Sequence, residues 1–291
     1  MEPSKIGNLI SNKQCNNRCL LCARSDADLE EMDIERIEDK LRSMKADGFN
    51  KIILTGGEPT LRKDLFDIIS LSKKIGFLRL DIQTNGRRFS DIEFAKKIVC
   101  GNESFIDIFL SIPGHTNNIH ESITNTIGSF DETSKGIDNL ISLGASVTTN
   151  TVINKLNFHF LKDIALFLKE KGVRIIQFSF IHPKGSALNN QDLLIPDIHE
   201  VIPFVHEALA LNSGGTRILI EAIPFCLLGD DHVFATENLV PKSYGMAAYA
   251  KIKGSECQRC FHDPVCPGIW ENYYSSKGFE FKRQSSRRNV A

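Results

Sequence analysis

The sequence has no long apolar segment and almost no net charge. Its 291 residues include 35 Lys and Arg against 36 Asp and Glu, a formal net charge of −1. No apolar run is long enough to cross a bilayer, and the N-terminus lacks the apolar core of a signal peptide. Balanced charge gives no general attraction to nucleic acid or to an anionic membrane. These absences predict a cytoplasmic protein that binds neither nucleic acid nor membrane.

Internal repeats are also missing, and there is no low-complexity linker before about residue 227. The length suffices for one large domain or a domain with an appendage, and 42% of the residues are apolar, enough for a full core. The chain does contain eight cysteines. Without an export signal they should stay reduced, which favours metal or redox chemistry over a disulfide framework.

Short apolar runs alternate with amphipathic segments over most of the chain. The predicted strands are 6–10, 51–55, 78–83, 105–112, 146–153, 174–181 and 217–223. The predicted helices include 28–47, a segment with Leu65, Ile68 and Ile69, 133–143, 161–171 and 198–211. Strands that alternate with helices of this length indicate right-handed βαβ crossovers and a mainly parallel sheet. The predicted fold class is α/β, a partial (β/α)6 TIM-like barrel with a small irregular cysteine-rich C-terminal extension.

Three cysteines lie within eight residues directly after the first predicted strand. Cys15, Cys19 and Cys22 have C-x3-C-x2-C spacing on a loop rich in Asn and Arg. Thiolates are the preferred ligands of iron–sulfur clusters and of zinc. Three ligands leave one iron of a cubane cluster open, and an open position is typical of a catalytic metal site. A zinc loop or a disulfide pair is the alternative interpretation.

A second motif, Gly56-Gly57-Glu58-Pro59, follows the second predicted strand. As a tight turn alone, it would use glycine for positive φ and proline to start a helix. As a binding site, residues without side chains would let the backbone approach a ligand, and free N–H groups would bind its carboxylate or amino group. One βα unit after a C-x3-C-x2-C loop, this motif resembles that of the radical S-adenosylmethionine (SAM) superfamily.

This resemblance implies an enzyme in which Cys15, Cys19 and Cys22 hold a [4Fe–4S] cluster. SAM would bind the open iron, and one electron would cleave it to a 5′-deoxyadenosyl radical that abstracts hydrogen from a substrate. An electron donor such as flavodoxin or ferredoxin is implied as well. Ligands of parallel α/β folds sit at the carboxyl ends of strands. The expected SAM contacts there, besides the glycine motif, are Leu21, Thr84, Asn85, Ser111, Asn150 and Gln177.

The other cysteines lie later in the chain. Cys226 follows the last predicted strand, and Cys257, Cys260 and Cys266 have C-x2-C-x5-C spacing. These four make a complete tetrahedral set, which a zinc ribbon would use. The spacing also resembles the SPASM and twitch extensions of radical SAM enzymes, which implies an auxiliary [4Fe–4S] cluster. The predicted domains are therefore 1–223, the barrel, and 224–291, the extension. Cys100 is expected to be a buried hydrophobe without a role.

The substrate is expected from the same resemblance. Enzymes with SPASM or twitch extensions often modify ribosomally made peptides, and others oxidise or epimerise sugars or aminoglycoside-like natural products. Peptide modification is the first hypothesis, and a small-molecule substrate is the second. Because the barrel begins near residue 6, we expect no peptide-recognition domain in this chain, which favours either a small-molecule substrate or a separate protein that brings the peptide. The alternative of another class is a non-enzymatic iron–sulfur or zinc sensor. The sequence indicates no catalytic residue.

Overall fold

The computed structural model describes residues 5–25, 31–239 and 251–284. Its main element is a seven-stranded parallel sheet whose strands follow chain order. The strands are β1 Lys5–Ile10, β2 Phe49–Thr55, β3 Arg79–Thr84, β4 Ile106–Ser111, β5 Ser146–Ile153, β6 Ile175–Phe180 and β7 Arg217–Glu221. In the described residues β1 and β7 are not paired with each other, so the barrel is partial. The predicted fold class is confirmed.

Helices connect the strands and cover one face of the sheet. Those before β7 are α1 Ile34–Ala46, α2 Leu65–Ile75, α3 Ile92–Val99, α4 Asn117–Thr124, α5 Ser129–Ser142, α6 Leu161–Glu170, α7 Ser186–Asn189, α8 Gln191–Leu194 and α9 Ile198–Leu209. Side chains alternate between the two faces of a strand, and one set, including Ile52, Leu54 and Ile82, is buried in the core with the helices. The other set faces the barrel interior. None of the helices in the described ranges is long and apolar enough to span a membrane.

The differences from the prediction that matter for the site are at helices α1 and α4. The helix predicted at 28–47 begins only at Ile34, where the Asp33 side chain accepts a hydrogen bond from the Arg36 N–H at 2.8 Å and caps the first turn. Residues 28–30 lie outside the described ranges. Helix α4 was not predicted, because it is only eight residues long and contains only two apolar residues, Ile119 and Ile123. It lies after β4 and becomes important at the site.

The chain after β7 packs on the barrel through short elements. They are α10 Phe225–Leu228, the antiparallel pair β8 Lys251–Ile252 and β9 Ile269–Trp270, and α11 Glu271–Lys277. The Trp270 Nε1–H donates to the Phe180 carbonyl at 3.3 Å, and the Ile198 N–H donates to the Tyr273 hydroxyl at 2.8 Å. Both rings are buried, so this end of the chain is anchored to β6 and α9. The division at residue 223 stays a prediction.

Candidate metal and cofactor site

The loop that carries the three N-terminal cysteines follows β1 and is held by backbone hydrogen bonds from two helices. The Arg18 and Leu20 N–H groups donate to carbonyls at the end of α4, at 3.1 and 2.9 Å. On the other side, the Ser186 N–H at the start of α7 donates to the Cys22 carbonyl at 2.9 Å. The unpredicted helix α4 therefore fixes the middle of the cysteine loop.

The Gly56-Gly57 turn holds the beginning of the same loop. The Gly57 N–H donates to the Asn12 carbonyl at 2.8 Å, and the Glu58 N–H donates to the Gln14 carbonyl at 2.7 Å. A Cβ on Gly57 would lie 2.1 Å from the Gln14 oxygen, which no side chain tolerates. The glycines are thus required by the close approach of the loop, and these two N–H groups are used within the protein. A SAM contact at this turn stays a prediction and would have to use other backbone groups.

Glu58 joins the ends of β2 and β3. Its carboxylate is buried and accepts hydrogen bonds from the Thr60 hydroxyl and N–H, at 2.7 and 3.0 Å. It also accepts from the Thr84 hydroxyl at 2.8 Å and the Asn85 N–H at 2.7 Å. Burial raises the pKa of Glu58, and these donors oppose the shift. Glu58 and Thr84 therefore support the mouth of the barrel, with Pro59 buried beside them.

Asn85 and Arg87 contact the cysteine loop from the end of β3. The Asn85 side-chain amide donates to the Asn16 side-chain oxygen at 2.7 Å and lies 3.9 Å from the Cys15 sulfur. Arg87 donates to the Asn17 side-chain oxygen at 3.0 Å and to the Asn16 carbonyl. Arg87 was missed by sequence reasoning, although it follows the Thr84-Asn85-Gly86 motif directly. Its guanidinium is also paired with the Glu132 carboxylate at 2.5 Å, which holds it in place beside the loop.

The three N-terminal thiols lie close enough to interact electrostatically; Cys15 is exposed, and Cys19 and Cys22 are half-buried. Desolvation raises the pKa of Cys15, and it raises the pKa of Cys19 to about 12, with Cys15 and Cys22 adding to the effect. A thiol must lose its proton before it can bind iron as a thiolate. Metal loading therefore releases protons and depends on pH. In residues 5–25, 31–239 and 251–284, no three His, Cys, Asp or Glu side chains surround a single metal-ion position. Cluster thiolates each bind a different iron and so are spaced more widely.

The remaining expected SAM contacts lie at different depths. Ser111 is exposed at the end of β4, and Leu21 is half-buried against the core. Asn150 pairs in register with Ser111 on one side and with Gln177 on the other. Asn150 and Gln177 belong to a hydrogen-bonded group on β5 to β7 that sequence reasoning did not identify. Whether any of these residues contacts SAM stays a prediction.

The four C-terminal cysteines lie near one another, and their binding of a cluster or a metal ion stays a prediction. Cys226, Cys257, Cys260 and Cys266 line one narrow cleft. Burial raises the pKa values of the first two thiols and of Cys266. His262 is buried and lines the same cleft. It was missed, although its place between Cys260 and Cys266 in the sequence is that of a possible ligand.

Cys100 lies apart from both groups of cysteines. It caps the C-terminal end of α3 and is exposed. The expectation of a buried cysteine was wrong, because the last turn of α3 directs this residue away from the core. An exposed cysteine outside both sites is a useful control position.

Replacing Gly57 with Ala should detach the cysteine loop. The new Cβ would overlap the Gln14 carbonyl, so we expect about 2–3 kcal/mol lower unfolding free energy and loss of iron at this site. Denaturant unfolding and iron analysis measure both effects. Gly101→Ala is the control, because the new Cβ would meet no atom within 4 Å. It should lower the unfolding free energy only through the positive φ at this position, by about 1 kcal/mol. Equal effects of the two substitutions would contradict this role of Gly57.

The fold and the loop define a class, a partial α/β barrel with a three-cysteine metal loop at its mouth. Residues 9–168, more than half of the chain, match the family model described as the radical SAM superfamily. The chain belongs to the radical SAM superfamily. Membership of this family implies a [4Fe–4S] cluster and SAM as cofactors.

Individual relatives are similar over part or all of the chain. Fe-coproporphyrin III synthase of Methanosarcina barkeri is 28% identical over 200 residues, which are 67% of this chain and 49% of that protein. The chain thus spans about half the length of the curated relatives it matches.

Among solved structures, Streptococcus suis SuiB superposes with a TM-score of 0.62 at 14% identity, covering 97% of this chain and 63% of SuiB. The structure described as native anSMEcpe with bound AdoMet has a TM-score of 0.58 at 15% identity, covering 96% and 92%. At these identities the structural likeness shows the fold alone. Further structures contain SuiB bound to precursor peptide SuiA, and anSMEcpe with AdoMet and a peptide.

Proposed function

We propose that this enzyme cleaves SAM at the Cys15-Cys19-Cys22 loop and modifies a peptide, using a second cluster at its C-terminal cysteines. The observation that carries the first part is the packing of this loop on the Gly56-Gly57-Glu58 turn. Three thiols of one loop reach the carboxyl end of a parallel barrel, where such folds bind ligands. Soft thiolate donors fit an iron–sulfur cluster.

Cys15, Cys19 and Cys22 would hold the N-terminal cluster. When bound and reduced, it supplies the electron that cleaves SAM to a 5′-deoxyadenosyl radical. The protein fixes the loop through Asn85 and Arg87 and keeps water from the reacting centre inside the barrel. A small redox protein such as flavodoxin or ferredoxin would deliver the electron.

Cys226, Cys257, Cys260 and Cys266 would hold an auxiliary [4Fe–4S] cluster. This is supported by their convergence on one cleft and by a donor set of four thiols. When bound, a second cluster supplies electron transfer to or from the substrate. Zinc is the competing occupant, since four thiolates also suit a structural zinc site. The twitch-like assignment of residues 224–291 and the boundary at 223 are part of this proposal.

A peptide substrate is supported by the solved structures that share the fold over nearly the whole chain. Both SuiB and anSMEcpe have been seen with peptides. A separate recognition protein would bring the peptide to this enzyme. A small molecule is the second candidate, and the relative named for Fe-coproporphyrin III synthesis supports it.

The two substrate classes are separated by an activity assay on fractionated extract of the source cells. The loaded, reduced enzyme is incubated with SAM and either a peptide fraction or a small-molecule fraction, and 5′-deoxyadenosine is measured. We expect the peptide fraction to stimulate its formation and protease pretreatment to remove the stimulation. Stimulation that survives proteolysis, or that follows the small-molecule fraction, would favour the second candidate.

A further inference from the structure

A group of four polar side chains lies on the interior face of the barrel. Asn150 pairs in register with Gln177, and Ser179 pairs with Glu221. Since side chains alternate along a strand, all four face the interior. The alternate residues of β6 and β7 that face the helices are Ile176, Phe178, Phe180, Ile218 and Ile220, and all are buried in the core. We name the four residues the β5–β7 cluster.

Hydrogen bonds link every member of the β5–β7 cluster. The Ser179 hydroxyl oxygen lies 2.8 Å from Asn150 Oδ1 and 2.7 Å from Glu221 Oε2. The Gln177 amide donates to Ser179 Oγ at 3.1 Å and to Glu221 Oε2 at 3.0 Å. One hydroxyl proton satisfies only one of two acceptors. The network therefore requires either a proton on Glu221 or a turned Asn150 amide.

Glu221 lies close to a second carboxylate and to an ammonium group. Burial raises the pKa of Glu221, and the nearby Glu237 carboxylate adds to this, while Lys251 and the hydrogen bonds oppose it. Lys251 lies 3.3 Å from Glu237 and 4.5 Å from the centre of the Trp270 ring. Its ammonium is thus engaged by other groups. An anionic ligand here would meet two carboxyl groups.

The backbone next to Glu221 is strained, and an acceptor beside it lacks a partner. Ala222 has a φ of 65°, which is uncommon for a residue with a side chain. Its N–H is fixed by the Glu237 carboxylate at 2.9 Å. The other oxygen of that carboxylate is buried, without a hydrogen-bond donor in the described residues. Strain and unpaired buried acceptors concentrate at functional sites.

We propose that the β5–β7 cluster, together with Glu237, binds an uncharged hydrogen-bonding group of the substrate, an amide or a hydroxyl. Asn150 and Gln177 would then contact the substrate instead of SAM, the contact that the family resemblance implies for them. The proposal rests on the proposed function and narrows its substrate class. Amide and hydroxyl side chains both donate and accept, so they match a group that does the same. The unpaired Glu237 oxygen calls for a donor. Peptide bonds and sugar hydroxyls supply one, whereas phosphate and carboxylate groups do not.

Small probes test this without the natural substrate. The SAM-bound holoenzyme is titrated with N-acetylglycine-N-methylamide, glucose, succinate and putrescine, and binding is followed by ligand-observed NMR. We expect the amide or glucose to bind best, with affinity about fivefold weaker in Glu221→Ala, the effect of one neutral hydrogen bond. Glu221→Gln, which keeps the shape of a neutral carboxyl, should retain binding. Glu207→Gln, on the exposed face of α9, is the matched control.

The outcomes separate this site from the proposed function. Tightest binding of putrescine or succinate, or equal affinities in wild type and Glu221→Ala, would overturn the β5–β7 subsite. Infrared spectra give a second readout: because burial raises the pKa of Glu221, its protonated carboxyl band should persist above the pH range of an ordinary glutamate and be absent in Glu221→Gln. SAM cleavage is measured on the same wild-type sample. If cleavage fails, the proposed function fails regardless of the probes; if cleavage succeeds and probe binding fails, only the subsite is wrong.

Discussion

The Cys19→Ala enzyme should keep its fold, and its rate of SAM cleavage should fall by about 100-fold or more. Mutation of residues that only hydrogen-bond to metal ligands already lowers metal affinity or activity by up to about that factor. Cys19 is the most desolvated thiol of the N-terminal loop, as its raised pKa of about 12 indicates. Alanine removes one of three ligands, so the loop would retain too few thiolates for a stable cluster. The barrel should persist, because α4, α7 and the Gly56-Gly57 turn hold the loop through backbone groups.

Iron content and 5′-deoxyadenosine formation measure this effect after anaerobic reconstitution and reduction. Cys100→Ala is the matched control, because Cys100 is exposed and lies outside both groups of cysteines. It should match wild type in both measurements. Wild-type cleavage by Cys19→Ala would show that the N-terminal loop does not hold the catalytic cluster.

The Cys257→Ala/Cys260→Ala enzyme should lose about four of about eight irons per chain. These two thiols share a cleft with Cys226 and Cys266, so their removal leaves half of a ligand set. The N-terminal cysteine loop is distant in sequence from Cys257 and Cys260 and is held by other elements. Its cluster should therefore remain. SAM cleavage without substrate should therefore continue, while turnover of substrate should fall if the second cluster transfers electrons.

Zinc measured on the same samples distinguishes the competing occupant. About four irons and one zinc in wild type, with only the zinc lost in the double variant, would make the C-terminal site structural. The enzyme would then carry one cluster, and its C-terminal site would have no role in electron transfer. His262→Ala, tested in parallel, shows whether this buried residue contributes to retention of either metal.

The sheet could be predicted from the sequence because buried parallel strands appear as short apolar runs. All seven strands were predicted with boundaries within two residues. Helix α4 was not, because only eight mostly polar residues form it and its main contact, the cysteine loop, is distant in sequence. The two groups of cysteines were visible because their spacing is local.

Residues that are distant in sequence and are brought together only by strand pairing could not be predicted in the same way. Ser179 and Glu221 are separated by 42 residues, and only the pairing of β6 with β7 brings them together. The requirement for Gly57 likewise depends on how closely residues 12–14 approach it. A motif shows that a glycine stands there, but the structure shows that the cysteine loop, packed against it, excludes any larger residue.

The most direct test of the central claim is the formation of 5′-deoxyadenosine by wild-type enzyme. The protein is reconstituted anaerobically, its iron loading is measured, and it is reduced with dithionite in the presence of SAM. The account predicts 5′-deoxyadenosine and methionine in equal amounts. No cleavage by a fully loaded and reduced protein would contradict it and would favour a non-enzymatic iron–sulfur sensor.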